Sequence, residues 1–131
     1  MTRFDATDPT ERRKLFVDAV RAHRQRGSAF CTVESARTDA DGEDDPLPWV
    51  QFADRTFNLD CTDDELDRLT DLLEDFPEFR VEAMESPDDA DGTNVRVTAR
   101  SDENRLAAFV DRVFRAVYQR PDDYRAWVTA V

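Results

Sequence analysis

The chain has 131 residues, of which 40% are hydrophobic and 10% aromatic, enough for one packed core and the size of a single domain, residues 1–131. Thirty acidic residues against 18 basic ones give a formal net charge of −12, yet the regular apolar spacings described below exclude disorder outside the loops. No apolar run approaches the roughly 20 residues of a membrane-spanning helix and no basic-flanked apolar leader opens the sequence, so a soluble cytoplasmic protein without membrane contact is expected.

The first element is signalled by Asp8-Pro9-Thr10-Glu11, in which Asp8 can cap, Pro9 suits the first helical position and Glu11 completes a capping-box-like arrangement. Leu15, Phe16, Ala19, Val20 and His23 then recur at helical spacing and predict a helix to about Arg26, with Gly27 placed to end it. Ala29 to Glu34 is short and rich in β-formers, a first strand. The segment 38–48 gathers Asp39, Asp41, Glu43, Asp44 and Asp45 with Gly42, Pro46 and Pro48, and is expected to be a mobile acidic loop.

From Trp49 to Cys61 the period is two, broken by a turn near Asp54-Arg55, which predicts a hairpin. Thr62-Asp63-Asp64-Glu65 is a capping box for a second helix, whose stripe is Leu66, Leu69, Leu73 and Phe76 and which Pro77 stops. Phe79, Val81 and Ala83, then Val95, Val97 and Ala99, alternate with polar neighbours in two further strands joined through 86–92. Ser101 is expected to cap a third helix with Leu106, Phe109, Val110, Val113 and Val117 on its apolar side. Residues 122–131 fit a short helix or a final strand.

The order α-β-β-β-α-β-β-α plus a tail predicts an α+β two-layer sandwich: an antiparallel sheet of about five strands with helices mainly on one face. Lys14 is the only lysine among the 18 basic residues, and most of the acids are Asp. The stretches WVQFADRTFNLDCTDDELDRL (49–69) and GTNVRVTARSDENRLAAFVDRVF (92–114) resemble an uncharacterised family of small acidic haloarchaeal proteins. That resemblance implies a salt-filled cytoplasm but no activity and no catalytic residue. The element order also resembles the fold of type III secretion chaperones, which implies a protein-binding role by analogy of fold alone.

Few residues point to chemistry. His23 falls on the apolar stripe of the first helix and reads as a core histidine, although a meeting with Cys31 would allow a thiol mechanism. Cys31 and Cys61 form no C-x-x-C pair and read as reduced core thiols. The repeated Asp-Ala-Asp-Gly at 39–42 and 89–92 lacks the ligand spacing of a calcium loop. No metal site, cofactor or catalytic residue is therefore expected.

Two constellations remain. Residues 11–26 carry a local charge of +4, and Arg13, Lys14, Arg21 and Arg24 cluster within roughly 100° of the helical wheel, a candidate anion- or partner-binding face. Its bland counterpart is neutralisation by the second helix, whose residues 63–75 carry −6. The C-terminal Tyr118, Tyr124, Arg125 and Trp127 are interface candidates, or equally a tail packed on its own sheet. The leading expectation is a non-enzymatic protein-interaction domain with a protein partner or a homodimer. A nucleic-acid-associated or regulatory protein using the helix 1 cations is the second reading, and a ligand pocket or enzyme site near Cys31, His23 and Trp49 the third.

Overall fold

The computed structural model describes residues 5–26, 31–37, 41, 47–53, 55–86 and 92–129, the side chains of Arg24, Arg26 and Thr129 excepted. The described residues form β1 (Asp5–Ala6), α1 (Pro9–Arg26), β2 (Cys31–Ser35), β3 (Trp49–Ala53), β4 (Thr56–Cys61), α2 (Asp63–Leu73), β5 (Phe79–Glu85), β6 (Thr93–Ala99), α3 (Glu103–Arg112) and β7 (Ala126–Thr129). A π-helical turn, Val113–Val117, prolongs α3. All strand pairs are antiparallel, in the order β1-β7-β2-β3-β4-β6-β5. The expected α+β class is observed, and the expected order holds from α1 to α3, with β1 added before it and β7 formed by the tail.

Among the described residues the sheet has seven strands rather than about five. The tail supplies β7, which pairs with β2, and β1 adds to its outer side through Asp5↔Trp127 and Ala6↔Ala126. Two residues carry no periodicity, so β1 leaves no mark on the sequence. Most of the acidic loop expected over 38–48 lies outside the described residues. Of it, Asp41 accepts from Arg120 Nη1 at 2.8 Å.

The helices start where their caps place them. Asp8 Oδ2 accepts from the Thr10 and Glu11 amides at 3.0 and 3.3 Å. Thr62 and Glu65 form both halves of the capping box at α2, an arrangement whose loss typically costs about 1 kcal/mol. At α3 the cap is Asp102, one residue after the expected Ser101, and its carboxylate accepts from the Arg105 amide at 2.8 Å. No helix is long and apolar enough to cross a membrane, among the described residues.

One face of the sheet is packed against the three helices. Phe57 is fully buried, with ring centroids 4.9 Å from Phe52 and 5.2 Å from Phe109, and Phe79 lies 4.9 Å from Phe109. Such aromatic pairs add roughly 0.5–1.5 kcal/mol each beyond the area they bury. In β5 the expected alternation of Phe79, Val81 and Ala83 breaks at a bulge between Val81 and Ala83. The extra residue, Glu82, shifts the period, so Met84 rather than Ala83 falls opposite the buried Val95. Gly92, at φ 155°, lets the backbone approach the Cys61 carbonyl, where a Cβ would stand 3.1 Å away.

Candidate functional site

The basic residues of α1 divide into two groups. Arg12 is fully buried. Its Nε donates to Asp111 Oδ1 at 3.0 Å, and its Nη1 donates to the carbonyls of Tyr124, at 3.1 Å, and Thr7. Its guanidinium stacks 4.0 Å above the Tyr124 ring, whose hydroxyl donates to the same Asp111 oxygen at 2.8 Å. Arg115 stands 3.0 Å from Asp111 Oδ2. Burial, then the Asp111 charge, holds the Tyr124 phenol well above its ordinary range. This cluster ties α1, α3 and the segment that leads into β7 together, and it removes one cation from the count that made α1 look uniformly basic. The spacing Arg12, Phe16, Ala19, His23 is the signal that could have found it, because it puts Arg12 on the buried stripe.

Arg13, Lys14 and Arg21 face outward. With Pro9, Thr10, Val17, Asp18 and Asn104 they line an open groove of about 520 Å³ between α1 and the first turn of α3. Glu103 Oε2 accepts from Arg21 at 3.1 Å, whereas Arg13 and Lys14 make no ion pair among the described residues. The side chain of Arg24 lies outside those residues. α1 packs along α3, and α2 packs against the π-helical turn. Among the described residues no ion pair joins α1 to α2. The expected neutralisation by the second helix is therefore not what is found; the acid that meets Arg21 comes from α3.

The second constellation lies on the face of the sheet that no described helix covers. There Glu34 of β2 pairs in register with Trp49 of β3 on one side and Trp127 of β7 on the other. Thr32, Gln51, Asn58 and Arg96 form the next row. Asn94 Nδ2 donates to Asn58 Oδ1 at 2.6 Å and to Asp60 Oδ1 at 2.9 Å. Trp127 is 37% exposed. Arg125 stacks 4.3 Å above its ring and pairs with Asp5 at 2.6 Å.

The model of a family of unknown function, DUF7975, matches residues 1–131. The chain belongs to this family. No curated protein and no solved structure matches it. The family brings no activity with it, so the roles of individual residues rest on geometry.

Of the four C-terminal interface candidates, two are turned into the fold. Tyr124 is buried in the Arg12 cluster, and half-buried Tyr118 donates to the Asp60 carbonyl at 2.7 Å. Arg125 and Trp127 remain on the open face. Cys31 and Trp49 sit on opposite faces of the sheet, because Cys31 pairs with buried Phe52 while Trp49 alternates with buried Val50. His23 packs edge-on against Phe52 at 5.3 Å, so these three residues do not line one pocket. Burial pushes the Cys31 thiol up to about 11. Burial first, then Glu65 and Asp60, pushes the Cys61 thiol up to about 12. Among the described residues no three metal-ligating side chains are grouped.

Proposed function

We propose that the chain is a non-enzymatic protein-interaction domain of a salt-rich, haloarchaeal-type cytoplasm, and that its partner is a second copy held against the open sheet face. The observation that carries this reading is the row Trp127, Glu34, Trp49 on a face that no described helix covers. Tryptophan and arginine supply most of the binding energy at protein interfaces, and this face offers both, with Arg125 stacked on Trp127.

Charge favours a second copy over other occupants. The open face carries Arg80, Arg96 and Arg125 interleaved with Asp5, Glu34, Asp60, Glu82 and Glu85, so that both signs share it although it remains acidic like the chain as a whole. Two acidic copies repel each other least where both signs share one surface, and a two-fold axis needs a self-complementary patch. Seven strands of about five residues span on the order of 500 Å² in flat projection, while a stable interface uses roughly 800 Å² per partner. The whole face, together with side chains at its rim, must take part.

Other observations support the same reading. The protonated, buried thiols are the reverse of what a cysteine nucleophile needs. The order of elements from α1 to α3 resembles that of type III secretion chaperones, which bind other proteins, an analogy of element order alone because no solved structure matches the chain. A nucleic-acid partner for Arg13 and Lys14 is disfavoured, because counterion-release binding weakens steeply in salt.

Sedimentation equilibrium in molar KCl tests the reading. The expected mass is twice the 15.1 kDa of the chain. Trp127→Glu, and separately Arg96→Glu, should return the monomer mass with little change in thermal melting. A wild-type chain that stays monomeric at high concentration, or a dimer indifferent to both substitutions, would sink it.

A further inference from the structure

We propose that the groove between α1 and α3 is a binding site for a compact, multiply charged anion of the phosphate class, and that Glu103 is the internal carboxylate such an anion displaces. This site lies on the helical layer, away from the open sheet face, and stands or falls independently of the self-association reading.

The groove already has the chemistry of oxyanion recognition in one place. Glu103 Oε2 accepts from both Nε and Nη2 of Arg21, at 3.4 and 3.1 Å. A phosphate oxygen presents the same acceptor with more charge, and a guanidinium fork matches it in two directions. Arg13 and Lys14 add two cations that make no ion pair among the described residues. The Thr10 hydroxyl and Asn104 amide complete a polar lining in which Asp18 is the one carboxylate. The first turn of α3 borders the groove, its amide end already capped by the Asp102 carboxylate, so the positive charge there comes from the side chains of α1. About 520 Å³ lies within the roughly 300–1,000 Å³ usual for small-molecule sites.

Salt decides between a compact ligand and a long polyanion. At molar salt the screening length is about 3 Å, so attraction at a distance is lost and only groups in direct contact contribute. A duplex binds largely by releasing counterions, which concentrated salt suppresses. A small ligand held by three cations at hydrogen-bond distance keeps most of its affinity.

The test is calorimetric titration of inorganic pyrophosphate into the full chain in molar KCl, with a duplex DNA oligonucleotide as a second arm. Saturable binding at one site is expected. Arg13→Gln with Lys14→Gln should weaken it by about tenfold or more, the loss expected for charge-assisted contacts. Glu103→Gln, which frees Arg21, should tighten it severalfold. A merely structural ion pair predicts the reverse for Glu103→Gln, lower stability and no gain in affinity. Absence of saturable pyrophosphate binding overturns the proposal, as does affinity that ignores all three substitutions. So does a variant pattern seen with DNA alone. Thermal melts of each variant without ligand separate lost binding from lost folding.

Discussion

α1 and α2 lie on the same face of one sheet and carry opposite charge, yet among the described residues no ion pair joins them. α1 sends one cation inward, where Arg12 is fully buried against Asp111, and leaves Arg13, Lys14 and Arg21 along a groove. α2 keeps its carboxylates outside. Those of its first turn favour the positive end of the helix dipole, and Glu65 closes the capping box. Its one cation, Arg68, donates to the Val117 carbonyl at 2.9 Å, at the negative end of the neighbouring helix. Charges of the same helix thus do different work according to whether the apolar stripe passes beneath them.

The contrast breaks most visibly at the buried pair. Asp111→Ala strands the Arg12 guanidinium and the Tyr124 hydroxyl in the core and should cost about 3–5 kcal/mol. Joint replacement by Arg12→Met and Asp111→Leu should recover much of that loss. Urea unfolding at fixed salt measures both. A cost below about 1 kcal/mol for Asp111→Ala would mean that Arg12 finds water instead.

Salt sharpens the comparison from the side of α2. Lowering KCl from molar to millimolar should remove several kcal/mol by unscreening the carboxylates, a large share of the roughly 5–15 available. Asp67 and Asp71 are exposed and one helical turn apart, a repulsive spacing. Changing both to Asn should restore part of the low-salt loss. The same exchange of Arg13 and Lys14 for Gln should not. A melting temperature unchanged across the salt range would end the halophilic reading.

The smallest effect lies in the thiols. Folding favours their protonated forms, so the stability they contribute is whole below the ordinary thiol value of 9.0 and is lost as pH rises through about 11 for Cys31 and about 12 for Cys61. Both should resist alkylation near neutral pH and react once the chain is unfolded. As the pH climbs, Cys31 should ionise first, because only Cys61 also feels Glu65 and Asp60. Titration followed by thiolate absorbance gives the order, and Glu65→Gln should narrow the gap.

Where one local rule acts, the sequence is a good guide to this fold. The hairpin at 49–61, the box at Thr62 and the cap at Asp8 each depend on neighbours within a few residues. The bulge at Glu82 and the pairing of β1 with β7 depend on partners far along the chain, and no periodicity announces them. The candidate site was legible in part: Arg13, Lys14 and Arg21 do face one groove, but their acidic neighbour is Glu103 rather than any residue of α2. Arg12 was hidden because charge suggests exposure, and its position on the apolar stripe carried the opposite signal. Trp49 and Trp127 are 78 residues apart, and only the strand order puts them on either side of Glu34.

The ends of the sheet set a limit on how molecules can add to one another. Strand-by-strand growth needs long, flat, unpaired borders. One border here is the two-residue β1, and the other is β5, bent at its bulge and carrying Glu82 and Glu85 beside the exposed Val81 and Met84. Neither offers a template for an incoming chain. Edge-to-edge joining through the described strands is therefore disfavoured.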